Sequence, residues 1–147
     1  MEIKGFKFSA VEAAIKKSGR LDLGLIFSET PAVVAALFTT NRVKAAPVLL
    51  SMERAKSGVA QAVLVNSGNA NACTGSQGMD DALESGRLVA EKLGIPDEAT
   101  LIASTGVIGV PLPMERIRKG IPPLIEGLET GRVADLATAI MTTDTFP

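Results

Sequence analysis

Histidine is absent from the 147 residues, as are tryptophan and tyrosine, and cysteine occurs once, at Cys73. Without His, no Ser-His-Asp triad, Cys-His dyad or His-based zinc site can be assembled from this chain alone. Any acid–base chemistry needs another kind of group or another chain. One Cys permits no internal disulfide and fits a reducing compartment. The aromatics are five Phe, 3% of the chain, so a core must come from Val, Ile, Leu, Ala and Met. Neither sign of charge dominates: Lys and Arg number 15, Asp and Glu 16, and the formal net charge is −1. That balance gives no electrostatic case for nucleic acid or an anionic membrane surface. The longest apolar runs, such as Pro31 to Phe38, fall far short of the roughly 20 residues of a membrane span. The opening MEIKGFKFSA carries charges where a signal peptide needs an apolar stretch. The expectation is a cytoplasmic protein with no membrane and no nucleic-acid partner.

What is present reads as a folded domain. Hydrophobic residues make up 46% of the chain, and the length suits one domain. Leu23 to Ser28 and Ala32 to Thr40 are apolar runs separated by the turn signal Glu29-Thr30-Pro31, predicting two adjacent strands. Gln61 to Val65 predicts a short strand buried on both faces, stopping at the loop signal Asn66-Ser67-Gly68-Asn69. From Met79 to Leu93, Met79, Ala82, Leu83, Ala90 and Leu93 recur at helical spacing, with Asp80, Asp81, Glu84, Arg87 and Glu91 opposite. Asp80 and Asp81 suit the positive end of that helix, and Gly94 closes it. Thr100 to Ala103 predicts a strand ending in a Ser104-Thr105-Gly106 loop. Met114 to Lys119 predicts a short helix broken at Gly120 and Pro122-Pro123. Arg132 to Met141 predicts another, with Val133, Leu136, Ala137 and Ile140 on one face. The fold class is α/β.

Three segments could carry chemistry. Asn66 to Gly75, NSGNANACTG, concentrates amides, hydroxyls and glycines, which suits a small polar ligand. It equally suits a turn whose Asn side chains cap their own backbone. No Gly-Lys-Ser/Thr follows, so it is not a phosphate loop. In Ser104-Thr105-Gly106 a hydroxyl beside a glycine N–H can aim two donors at one oxyanion, or the glycine can simply supply a turn. Thr142, Thr143, Asp144 and Thr145 could bind an amino acid or merely end a helix. Cys73 has no basic neighbour in sequence and reads as a small packing residue. Lys16-Lys17 reads as solvated surface.

Taken in order, these segments resemble the ornithine acetyltransferase family, also called the bifunctional glutamate N-acetyltransferase family. Gly5-Phe6, Ala14-Ile15-Lys16, DLGLIFSETPAVVAALFTT from Asp22, and NRVKAAP from Asn41 match it. NSGNANACTG, STGVIG from Ser104, GIPPL from Gly120 and AIMTTDT from Ala139 continue the match. Each motif is weak alone, but together in register they are specific. The resemblance implies a layered sheet-and-helix sandwich of the self-processing type, completed by a C-terminal (beta) chain. It implies a precursor that cuts itself at an Ala-Thr bond and uses the exposed Thr as nucleophile. That Thr would take the acetyl group of N-acetylornithine and pass it to glutamate, a step in arginine biosynthesis. An N-terminal amine can activate its own Thr hydroxyl, so His is not needed.

Carried over by motif, the Thr105 hydroxyl and the Gly106 N–H form the oxyanion hole. Thr142 matches a substrate-contacting Thr, with Thr143 the neighbouring alternative. The resemblance implies no resident cofactor and no metal, and some members accept acetyl-CoA as a second acetyl donor. The expected partner is the beta chain, in an α2β2 heterotetramer. The family's Lys-Gly-Ser/Gly-Gly segment and Ala-Thr cut site do not occur in residues 1–147. The expectation is therefore an N-terminal (alpha-chain) portion, truncated before the cleavage site and inactive by itself. Two rivals remain at this point: a non-catalytic subunit that only binds a partner, and a related N-terminal-nucleophile peptidase.

Overall fold

A computed structural model describes residues 2–16 and 19–144. Lys17 and Thr145, which figured in the sequence reading, lie outside the described residues. In chain order the elements are β1 (Phe6–Val11), β2 (Leu23–Val33), α1 (Ala46–Arg54), β3 (Val59–Asn69), α2 (Gly75–Leu93), β4 (Thr100–Val107), α3 (Met114–Glu126) and α4 (Val133–Ile140). The four strands form one sheet in the order β1-β2-β3-β4. β1 and β3 each pair antiparallel with β2, and β3 pairs parallel with β4 through the α2 crossover.

Neighbouring residues of a strand point to opposite faces, and this sorts the helices. A Cβ on Gly120 of α3 would meet Leu23, whereas a Cβ on Gly24 would meet Leu136 and Ala139 of α4. Helix α3 therefore covers one face of the sheet and α4 the other. The main core lies on the α3 face. There Leu23, Leu25, Ala62, Leu64 and Ile102 of the sheet meet Ala82 and Val89 of α2 and Ile117, Ile121 and Leu124 of α3. Burying each large aliphatic side chain stabilises the fold by about 1.5–3 kcal/mol. Helix α1 runs along the outer edge of β4. Ser51 Oγ donates to the Ile102 carbonyl at 2.7 Å and accepts its N–H at 2.9 Å. Arg54, buried beside Gly86, donates to the Thr100 carbonyl at 2.6 Å and pairs with Asp97.

The α/β sandwich stands as read, but several boundaries do not. Strand β2 runs through Glu29-Thr30-Pro31 instead of turning there. Its pairing with β3 shifts between Phe27 and Ala32, so the residue without an N–H sits where the ladder is interrupted. Residues 34–40 then have no regular structure, and Leu37 is fully exposed. An apolar run becomes a strand only where a partner strand receives it.

Strand β3 is fully buried on one face only: Ala62 and Leu64 are buried, Val63 and Val65 half-buried. It continues through Asn66–Asn69 because β4 pairs with all four residues there, and β2 with Asn66. For the same reason Ser104-Thr105-Gly106 extends β4 instead of forming a loop. Helix α2 begins at Gly75, so Asp80 and Asp81 lie beyond its first turn. Asp81 is buried, accepting from Gln77 at 2.8 Å, and Leu83 is exposed. Helix α3 passes through Gly120, Pro122 and Pro123. The prolines withhold N–H groups from the carbonyls of Arg118 and Lys119, which lie on its exposed side. Helix α4 buries Leu136 and Ala139 and leaves Ile140 exposed.

Candidate active site

The parallel pair β3–β4 sets the frame. Ser67 lies opposite Thr105 and Gly68 opposite Gly106. Side chains of paired residues share a face, and Ser67 Oγ donates to the Ala139 carbonyl near the end of α4. Thr105 therefore projects on the α4 side. Its backbone neighbour has a different outlook. The polar groups of Ile102 and the carbonyl of Thr100 face α1, away from β3. The Val107 carbonyl accepts from Ala70 on the β3 side, at 2.9 Å. The two-residue period of the strand then turns the Gly106 backbone to the outer edge, and Gly106 is exposed.

Both glycines have left-handed φ, +100° at Gly68 and +136° at Gly106. A Cβ on Gly106 would lie 2.3 Å from the Gly68 carbonyl carbon, and one on Gly68 would lie 2.6 Å from Lys16 Cγ. Only glycine allows these three backbones to stack so closely.

Thr105, Gly106, Thr142 and Thr143, the four residues singled out from sequence, line one cleft of about 380 Å³, together with Lys16, Gly68 and Val107. A second cleft of about 390 Å³ adjoins it, sharing Lys16 and Thr142 and adding Arg20 and Asp144. Past α4 the chain turns: the Asp144 carboxylate accepts the Thr142 N–H at 3.1 Å. The Thr-rich segment thus ends the helix and lines the cleft at once.

Lys16, read from sequence as solvated surface, is instead half-buried at the junction of the two clefts. Burial pulls its pKa below the ordinary lysine value. Asp22 opposes that shift, Arg20 reinforces it and Asp144 opposes it. Apart from its place in the Ala14-Ile15-Lys16 match, nothing in the local sequence marks this lysine; its placement depends on Asp22 and on a helix 123 residues away. Gly68 was hidden in the same way inside an apparent loop signal.

The Asn-rich segment is spent on its own architecture. Asn66 donates to the Asn69 carbonyl at 2.8 Å and accepts from Ser104 at 2.6 Å. Asn69 donates to the carbonyls of Val110 and Pro111, both at 3.1 Å, and accepts the Asn71 N–H. Asn71 bonds Gly78 and Thr74. These amides tie the ends of β3 and β4 to the following loops. Cys73 is exposed at a φ of +57°, not packed as the sequence suggested. Among the described residues no group of three or more His, Cys, Asp and Glu could hold a metal ion. No helix among them is long and apolar enough to cross a membrane.

The mixed α/β sandwich that carries this cleft has a fold with known counterparts. Residues 7–147 match the ArgJ family, and the chain belongs to it. It is 67% identical over 147 residues to the arginine biosynthesis bifunctional protein ArgJ of Geobacter sulfurreducens, covering 100% of this chain and 37% of that protein. The ArgJ of Synechocystis is 51% identical over 145 residues, 98% of this chain and 35% of its own length. The chain thus spans little more than a third of these relatives. Among solved structures, ornithine acetyltransferase from Mycobacterium tuberculosis, complexed with ornithine, superposes with a TM-score of 0.93 at 41% identity. The match covers 98% of this chain and 79% of that one. ArgJ from Bacillus halodurans gives 0.88 at 43% identity, over 97% and 74%.

Proposed function

We propose that the chain is the alpha-chain portion of an acetyltransferase that moves an acetyl group from N-acetylornithine to glutamate. The observation that carries this reading is the single cleft shared by Thr105, Gly106, Thr142 and Thr143. The nucleophile is the N-terminal Thr of a beta chain from the same precursor. Its hydroxyl oxygen bonds the acetyl carbon while its own amine takes the proton. Negative charge gathers on the acetyl oxygen, where the Thr105 hydroxyl and the Gly106 N–H donate to it. The carbon–nitrogen bond then breaks, the departing amine takes the proton, and ornithine leaves. Glutamate's amine attacks the acetyl-Thr ester by the reverse path. Thr142 contacts the amino-acid part of the substrate, with Thr143 beside it.

The reading extends to the whole protein as follows. No resident cofactor or metal is needed; acetyl-CoA is a co-substrate if the protein is bifunctional, as the names of its relatives state of them. The assembly is an α2β2 heterotetramer in the cytoplasm, a location that suits a lone exposed cysteine. The test is to express the complete precursor and mix it with N-acetylornithine and labelled glutamate. Transfer of acetyl to glutamate, with an acetylated Thr peptide trapped when glutamate is withheld, is the expected result. A complete, cleaved protein that hydrolyses peptides and never acetylates glutamate overturns it.

A further inference from the structure

Lys16 reaches the cleft from a segment without regular structure, yet it is held at both ends. Its backbone N–H donates to Asp22 Oδ2 at 2.8 Å, while Ala13 donates to Oδ1 at 2.7 Å. Asp22 itself is fully buried just before β2. The Lys16 side chain crosses past Gly68, whose missing Cβ leaves it room. Its ammonium donates to the carbonyls of Ala139, at 3.5 Å, and Met141. These acceptors lie where α4 ends, at its negative pole, where carbonyls run out of helical partners. Thr142 follows immediately. A lysine has three donors, and two are spent on this helix end, so it holds more than it offers.

We propose that Lys16 is a positioning residue: anchored by Asp22, it fixes the end of α4 and so sets Thr142 across the cleft from Thr105 and Gly106. The inference rests on the acyl-transfer reading of this cleft. Thr105 and Gly106 belong to β4 and are held by β3, not by Lys16. Loss of the latch should therefore loosen substrate binding at Thr142 while sparing the chemical step.

The test uses the complete two-chain protein. Lys16→Met keeps the aliphatic stem and removes the donors; KM for N-acetylornithine should rise about tenfold or more, the worth of a charge-assisted hydrogen bond. kcat should stay within about threefold, the pattern of lost uniform binding. Lys16→Arg, which keeps charge and donors, should recover most of the KM. Independently of turnover, amide exchange at Met141–Asp144 should quicken in Lys16→Met. A lowered melting temperature with unchanged KM would make Lys16 a mere structural clamp and overturn the proposal. So would a fall in kcat at constant KM, or unchanged amide exchange. If Lys16→Met does not fold, Lys16→Arg and Lys16→Gln are compared instead: a higher KM in the Gln variant is expected, and equal values overturn the proposal. A wild-type protein that transfers no acetyl group would instead defeat the acyl-transfer reading, and the exchange measurement would still decide the latch.

Discussion

Gly106 lies against Gly68 across the parallel strand pair so tightly that a methyl group on Gly106 would stand 2.3 Å from the Gly68 carbonyl carbon. At a φ of +136° an L side chain is also strained, at a cost of about 1–3 kcal/mol. Gly106→Ala must therefore part β3 from β4, and with them displace the backbone that lines the cleft. In the complete protein it should lower both the melting temperature and kcat. A variant with wild-type melting and turnover would show that the strands have slack and that the close approach serves no purpose.

The same residues show how much the sequence disclosed. The helix periodicity of α2 and α4 was legible because it depends on the local recurrence of apolar side chains, whereas the strand pair expected from Leu23–Ser28 and Ala32–Thr40 is one strand followed by an irregular stretch. The four cleft residues were legible because motifs in register pointed to them. What sequence hid is what depends on distant partners. Asn66–Asn69 look like a loop by composition and become a strand because β4 receives them. Pro122-Pro123 look like a break and are tolerated because the orphaned carbonyls face water. Asp81 looks like surface and is buried. Lys16 carries no local sign of its position, since Asp22 and the end of α4 define it.

The edge of β4 offers a stability test away from the cleft. Ser51 Oγ alone serves both the N–H and the carbonyl of Ile102, and both residues are buried. Ser51→Ala leaves two buried backbone groups without that partner, and each unsatisfied group costs about 1–3 kcal/mol. The urea midpoint of the complete protein should fall by an amount equivalent to at least about 2 kcal/mol, with the slope unchanged. A shift below about 0.5 kcal/mol would mean that α1 does not seal this edge.

Surface charge should matter far less. Arg118 grips Glu84 with two parallel hydrogen bonds of 2.7 and 2.9 Å. Its hydrogen bonding holds the Glu84 carboxyl below the ordinary value. A depressed carboxyl pKa contributes stability that is present above the unfolded value and lost as pH falls through the folded one. The pair is exposed, so solvent screens it. Glu84→Gln should lower the melting temperature at pH 7 by no more than about 1–2 °C. The difference should shrink as acid protonates the wild-type carboxyl, and in 1 M salt. A large drop, or one that grows toward low pH, would contradict this.

The proposed acetyl transfer makes its sharpest prediction at Thr105. Its side chain lies on the α4 face and lines the cleft with Thr142, while the Gly106 backbone turns to the sheet edge beside it. Charge appears on the acetyl oxygen only as the nucleophile adds, so a donor aimed there acts on the transition state and not on binding. Thr105→Ala in the complete, cleaved enzyme should lower kcat by about 10²–10³-fold, the usual effect of one lost oxyanion donor. KM for N-acetylornithine should change little. Thr105→Ser keeps the hydroxyl and should retain much of the rate, whereas Thr105→Val keeps the shape and should behave like Ala. That ordering separates a donor from a packing methyl, because packing alone would favour Val over Ser. If the Val variant turns over at the wild-type rate, the hydroxyl takes no part in acetyl transfer and the oxyanion must be held by other groups.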